Sequence, residues 1–404
     1  VPSTAPRCAD PRTDTRIAAL IVGVGIVSAF HVGKLPPAIP VLARDLGLTL
    51  VQGGFLLAVI QMAGMTLGAV VGMLADRLGP RRVMLLGLAL LGLGSALGAA
   101  APSPAVLLAT RALEGLGFLL AVLPAPGLLR RQLQAPAVLN KALGFWGAYM
   151  PIGAATTLLV GPLVYAGLGW RAGWATLALA TWVCAGLVWR WVPPDAPAAP
   201  GGGLGLWPRL AGTLSSGGPW LVALAFLMYS GQWLAVVGFL PTIYTAAGWS
   251  LAAVGALSAL AAGVNLIGNI AAGRWLAHGV RPLTLLGWGY GSMALGAYWT
   301  FSGWGGPVVN YLAVLVFSAL GGLIPGTLFT LAVRLAPGGH AVSTTVGWVQ
   351  QLSSLGQFVG PPLVAWLAAR VGGWHLTWTV NLACCLVGGV LSLALQRRLD
   401  RVGH

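Results

Sequence analysis

Twelve apolar runs, separated by short polar breaks, constrain this chain more than any other feature. They cover 17–42, 51–74, 83–101, 105–129, 138–166 and 172–192, then 219–245, 251–277, 283–302, 306–334, 342–369 and 374–396. At about 1.5 Å of rise per residue, each crosses the ~30 Å hydrocarbon layer of a bilayer as a helix. Runs this continuous do not fit the alternating strands of a membrane barrel. Only 7% of the 404 residues are charged and 57% are hydrophobic, where a soluble domain carries about 25% charged residues. Such a chain cannot cover a water-facing surface. The sequence predicts an all-α integral membrane protein.

The loops orient it. Residues 193–218 carry Pro193, Pro194, Asp195, Pro197, Pro200 and a glycine run from Gly201, the composition of a flexible linker. The linker separates a six-helix bundle at 17–192 from a second at 219–396, with tails at 1–16 and 397–404. Both termini and the linker then share one face. Lys34 and Arg111 lie within helices, and Arg44, Arg171 and Arg370 fall on the opposite face. All other lysines and arginines are on the terminus side. The positive-inside rule puts that side in the cytoplasm, and a bacterial inner membrane is the expected setting. Residues 1–16 lack the apolar core and cleavage site of a signal peptide. A net charge of +15 would suggest nucleic acid in a soluble protein. Here it follows the loop bias, so nucleic acid is not an expected partner. Cys8, Cys184, Cys384 and Cys385 show no metal-ligand spacing, and no metal or cofactor is expected.

The two halves resemble each other. A shift of about 201 residues brings Pro40 onto Pro241, Gly47 onto Gly248, Gly54 onto Gly255 and Gly72 onto Gly273, implying two bundles related by an axis along the membrane normal. The second and third helices are joined by Gly72-Met73-Leu74-Ala75-Asp76-Arg77-Leu78-Gly79-Pro80-Arg81-Arg82. Gly and Pro close this turn, and the arginines hold it in the cytoplasm. The stretch resembles the corresponding loop of the major facilitator superfamily, Gly-x-Leu-Ala-Asp-Arg-x-Gly-x-Arg-Arg. Arg111-Ala112-Leu113-Glu114-Gly115-Leu116-Gly117 resembles that family's fourth-helix pattern Arg-x-x-Gln-Gly-x-Gly, with Glu114 in place of the usual Gln. The resemblance covers the whole chain. It implies a monomeric secondary transporter working by alternating access. Its loop motif (Gly72, Asp76, Arg77, Gly79, Arg81 and Arg82) would lock and release the cytoplasmic gate. Asp76 would pair with basic residues and a helix N-terminus, and Arg77 and Arg81 with acidic groups or carbonyls.

Few residues inside the membrane can carry chemistry. Arg111 and Glu114 are three apart and share a helix face. A charge at the bilayer centre costs about 2.5–3.5 kcal/mol, which an opposite neighbour partly offsets. Two readings fit: a structural brace between the first and fourth helices, or a proton exchanged at Glu114 and tuned by Arg111. The family resemblance implicates this Arg in proton coupling. On the first helix, Ser28, His31 and Lys34 recur at three-residue steps. Pro36, Pro37 and Pro40 follow and free backbone carbonyls. Lys34 either snorkels outward or presents a fixed positive charge to an anion. The repeat pairs His31 with Gln232, flanked by Tyr229 and Trp233. These residues, with Tyr149, Asn265, Gln350 and Ser354, and also Gln61, Asn269 and Gln357, are candidate linings of a substrate path. The alternative for each is an interhelical hydrogen bond.

The run His31-x-x-Lys34-x-Pro36-Pro37 further resembles the cyanate/nitroimidazole, cyanate-permease-like branch of the superfamily. The expected function is proton-linked movement of a small anion, with protons and membrane lipid as the other partners. No P-loop, metal cluster or catalytic triad is evident in the sequence, so neither an ATP-driven pump nor an enzyme is expected. Export of an apolar drug or metabolite stays open, although Gly161-Pro162 lacks the surrounding glycines of the drug-antiporter motif. A non-transporting sensor or assembly factor also stays open, because fold alone does not settle function.

Overall fold

The computed structural model of the chain describes residues 11–195, 206–338 and 341–402, and among these every regular element is a helix. Ten helical segments are long and apolar enough to cross a membrane. One of them, Tyr149–Trp191, bends at Gly169 (φ 79°, ψ 157°) and makes two crossings. A positive φ of this kind is open to glycine and strained for other residues. Pro282–Phe301 completes the twelve.

The first span runs Pro11–Gly33 and Leu35–Leu46. It begins before the apolar run does, because buried Asp14 accepts the backbone N–H groups of Gln134 and Ala135, each at 2.9 Å. Its ladder is interrupted at Lys34, since Pro36 and Pro37 have no N–H for the carbonyls one turn back. The second span is Leu50–Val59 with Met62–Leu78, opened by a capping box between Thr49 and Gln52. The third is Pro80–Ala99, and the fourth is Pro104–Val122 with Ala125–Gln132. The fifth joins Pro136–Trp146 to the first part of Tyr149–Trp191, whose remainder is the sixth. A short helix, Leu206–Ser215, lies within the linker stretch, of which residues 196–205 are outside the described residues. Spans seven to twelve are Gly217–Ala246, Leu251–Gly263 with Asn265–Ala277, Pro282–Phe301, Pro307–Gly321 with Leu323–Arg334, Val342–Val371 and Thr377–Val402. The internal repeat is visible in the breaks. Spans two and eight are jointed at Gln61 and Val264, and spans four and ten at Leu123 and Gly322.

The bundles share a core at the end distal to the termini. One buried cluster there combines Leu35, Leu42, Leu57 and Trp174 of the first bundle with Phe239 and Ala365 of the second. Another joins Leu158 to Val237, Ala259 and Ala262. Toward the terminus end the clusters belong to single bundles: Ile17, Met84, Leu129 and Val188 in one, Phe226, Leu328, Leu331 and Leu395 in the other. Spans two and eleven form a tight part of the distal seam. A Cβ on Gly54 would come within 2.9 Å of both the Pro361 carbonyl oxygen and the Pro362 Cα. Burial of apolar area and close packing hold this end shut. Gly54→Val should therefore pry the seam apart. A cysteine placed at Leu57 should react faster with a membrane-impermeant thiol reagent in the Gly54→Val background. Equal labelling would show that the seam absorbs the added methyls.

Candidate functional site

The membrane-embedded charges meet inside the first bundle. Glu114 on span four faces Gly94 on span three, where a Cβ would lie 2.8 Å from the Glu114 Cγ. Only a residue without a side chain leaves room for the Glu114 stem and for the backbone of span four at this crossing. Glu114 Oε1 accepts the Lys34 ammonium at 2.5 Å, and Oε2 pairs with Arg111 Nη1. Lys34 Nζ also donates to Ser95 Oγ at 2.9 Å and lies 3.4 Å from His31 Nδ1. An ammonium has three protons, and these three groups engage them all. The ammonium also sits 4.5 Å from the centre of the Trp174 ring, a favourable cation–π placement. Lys34, His31 and Glu114 are fully buried.

A surrounding shell fixes this cluster. Ser95 Oγ donates to the Trp174 carbonyl at 2.8 Å. Thr181 Oγ1 gives its proton to the Leu177 carbonyl, so it accepts from His31 Nε2 at 2.8 Å. Nδ1 of the neutral ring is thereby left to accept from Lys34. Arg111 Nη1 donates to the His31 carbonyl at 2.7 Å. The buried Nη2 has no hydrogen-bond partner. Tyr165 donates its hydroxyl to the Lys34 carbonyl at 2.8 Å. Spans one, three, four, five and six are thus tied to one carboxylate and its two cations. With the imidazole neutral, the cluster carries one positive charge in excess.

The second bundle holds a separate, uncharged network. Tyr229 and Asn265 are hydrogen-bonded to each other, Asn265 Nδ2 donates to the Ser318 carbonyl at 2.8 Å, and Trp233 Nε1 donates to Ser318 Oγ at 3.1 Å. Asn269 donates to the Asn265 side chain at 3.0 Å. Gln232 turns to its own Met228 carbonyl and accepts the Cys385 thiol. The structure does not bring these residues to Lys34. Between the bundles, Gln61 donates to Gln357 at 3.0 Å, and Gln351 donates to the Met65 carbonyl at 2.7 Å. Ser354 is buried against Gln61 and Gly64, while Gln350, one turn nearer the terminus end, is exposed. Tyr149 stacks on Trp146 at 4.6 Å, with Gly25 beside both rings.

In the loop motif, the side chains of Gly72, Asp76 and Arg77 lie outside the described residues. Gly79 is the turn (φ 95°), and Arg81 Nη2 donates to the Trp189 carbonyl at 2.6 Å. The backbone N–H groups of Arg81 and Arg82 both reach the Asp195 carboxylate, at 3.1 and 3.2 Å. A carboxylate here satisfies orphan donors and opposes the positive end of the helix dipole. Sequence reading passed over Asp195 as a linker residue and did not single out Ser95, Thr181 or Trp174. Ser95 carried a signal, as the lone hydroxyl in the third apolar run.

Two bundles of six helices, jointed at repeated positions and enclosing an ionised cluster, define a membrane transporter fold. Residues 21–353 match the family model for the Major Facilitator Superfamily, and the chain belongs to that family. Over 135 residues it is 37% identical to the puromycin resistance protein pur8 of Streptomyces alboniger, a match covering 33% of this chain and 27% of that protein. It is 29% identical over 374 residues to human monocarboxylate transporter 11, covering 85% of this chain and 74% of the relative. Among solved structures, a bacterial homologue of the human lysosomal transporter Spinster, in an inward-facing and unoccupied conformation, superposes with a TM-score of 0.79. It is 14% identical and covers 96% of this chain and 98% of its own. At that identity the likeness establishes the fold.

Removing one partner of a buried ion pair leaves an uncompensated charge and typically costs about 3–5 kcal/mol. Glu114→Ala strands two cations and should lose stability on that scale. Lys34→Met leaves the Arg111–Glu114 pair intact and should lose less. Unfolding of the purified variants in detergent measures the order, and equal losses would contradict the shared-carboxylate arrangement.

Proposed function

We propose that this transporter moves a small anion together with a proton by alternating access, with Glu114 as the proton acceptor. The observation that carries this reading is the cluster of two cations around one carboxylate. When Glu114 takes a proton, its hold on Lys34 and Arg111 weakens and the cluster gains a second excess charge. Burying that charge is costly, and an arriving anion offsets it. Proton and anion then favour each other's binding, which is the thermodynamic requirement for symport. The similarity to a monocarboxylate transporter supports a small carboxylate as the anion.

In this reading His31 and Lys34 meet the anion from the first bundle. Gln350 and Ser354, with Tyr149, flank its path, while Tyr229, Gln232, Trp233 and Asn265 form the wall of the second bundle. The protein works as a monomer in a bacterial inner membrane with both termini in the cytoplasm, following the arginine bias. In this reading a distal end closed by the seam corresponds to an inward-facing arrangement. The loop motif, through Asp76, Arg77 and Arg81, sets the cytoplasmic gate. Export of an apolar drug is the second reading, favoured by the match to a puromycin resistance protein.

Proteoliposomes test both. An inward proton gradient should accelerate uptake of a small carboxylate such as acetate or pyruvate. Glu114→Gln should abolish that acceleration while leaving anion exchange intact, and an unaltered pH dependence would remove Glu114 from coupling. A ligand at 100 times its Kd stabilises by about 2.7 kcal/mol. A thermal-shift panel of anions and lipophilic cations should therefore show anion stabilisation that Lys34→Ala loses. Stabilisation by apolar cations, kept in Lys34→Ala, would favour the exporter.

A further inference from the structure

The distal seam has a second face, turned toward the membrane. A groove of about 380 Å³ lies there between spans two and eleven. Its walls are apolar, with Val51 and Phe55 from the first bundle and Phe358, Val359, Leu363 and Trp366 from the second. Phe55, Val359, Leu363 and Trp366 are exposed, so the groove opens to the hydrocarbon. At the floor of the groove Gly54 packs on Pro361 and on Pro362, which also lines it.

The groove ends at a charge. Arg370, exposed, places its guanidinium 5.7 Å from the centre of the Trp366 ring. From Phe358 to Arg370 the helix rises roughly 18 Å at about 1.5 Å per residue. One leaflet of a ~30 Å hydrocarbon layer is about 15 Å deep. An acyl chain lying along the groove therefore brings its headgroup to the level of Arg370. A guanidinium suits a phosphate and forms paired hydrogen bonds with it. Tryptophan and arginine at a helix end are also the usual residues of the membrane interface.

We infer that this groove is a binding site for an anionic phospholipid, with one acyl chain between spans two and eleven and its phosphate on Arg370. The two walls belong to different bundles, so the lipid bridges them. It contacts both walls only while the distal end is closed, and it therefore favours that state by the difference in its affinity for the two states.

The test uses the full chain purified in detergent and re-lipidated with phosphatidylglycerol or phosphatidylcholine. Native mass spectrometry reads retained lipid, and thermal unfolding reads stabilisation. Phosphatidylglycerol should bind about five-fold more tightly than phosphatidylcholine, the effect of one interfacial cation on an anionic headgroup. The preference should weaken in high salt. Arg370→Gln should erase the preference and Arg370→Lys should keep it. Val359→Trp, which fills the groove, should reduce retention of both lipids. Equal affinity for the two lipids in the unaltered protein, or a preference that survives Arg370→Gln, would overturn the proposal. So would inorganic phosphate alone stabilising as well as phosphatidylglycerol, which would make the site one for an ion without a chain. Undiminished lipid retention in Val359→Trp would place the chain elsewhere and overturn it equally.

Discussion

A fully buried carboxylate shared by two cations is the interaction on which this structure depends. Each charge alone costs about 2.5–3.5 kcal/mol at the centre of a bilayer by insertion scales. Together they are tolerated because each of their strong hydrogen-bonding directions is nearly filled. Glu114 spends its oxygens on Lys34 and Arg111, and Lys34 spends its remaining protons on Ser95 and His31. Pro36 and Pro37 matter for the same reason, since they interrupt the helical ladder beside Lys34. Gly94 lets the third span approach span four closely at the cluster, because a larger residue would collide with the Glu114 stem and backbone and with the Thr110 carbonyl.

Much of this was legible in the sequence. The twelve spans, the repeat and the family were carried by apolar length, a constant offset and two short motifs, because the bilayer demands long apolar helices whatever their contacts. The face shared by Arg111 and Glu114 followed from helical spacing alone. The contact between Lys34 and Glu114 did not, since a three-residue period orders side chains on one helix and says nothing of which neighbour they meet. The same limit explains Gln232, which the repeat places opposite His31 and which the fold turns toward Cys385. Asp195 was hidden for another reason. Its role depends on the end of span six folding back on the start of span three, a tertiary relation that a proline-rich composition does not encode.

The two halves share a repeated geometry while dividing its chemistry. His31 reaches from span one to Thr181 on span six, and Gln232 reaches from span seven to Cys385 on span twelve. Around the first contact the chain places Lys34, Arg111 and Glu114, the most deeply buried charged side chains among the described residues. Around the second it places amides, a tyrosine and a serine, linked mainly to one another. Such a neutral network is inexpensive in a membrane, where hydrogen bonds between helices are each worth about 0.6 kcal/mol on average. An asymmetric pair results, with one bundle that holds a buried charged cluster and one that holds a neutral hydrogen-bonded network.

The joints at Gln61, Val264, Leu123 and Gly322 give this architecture a mechanical character. A span that is continuous transmits a tilt along its whole length. A span divided at its midpoint behaves as two levers on one pivot. Gln61 is at once the pivot of span two and the donor to Gln357 across the seam. The break in span two therefore coincides with a point fastened to the opposite bundle. The ten residues Leu50–Val59 on its distal side form a short helix of their own, so the closed end of the seam is built on a segment set off from the rest of its span.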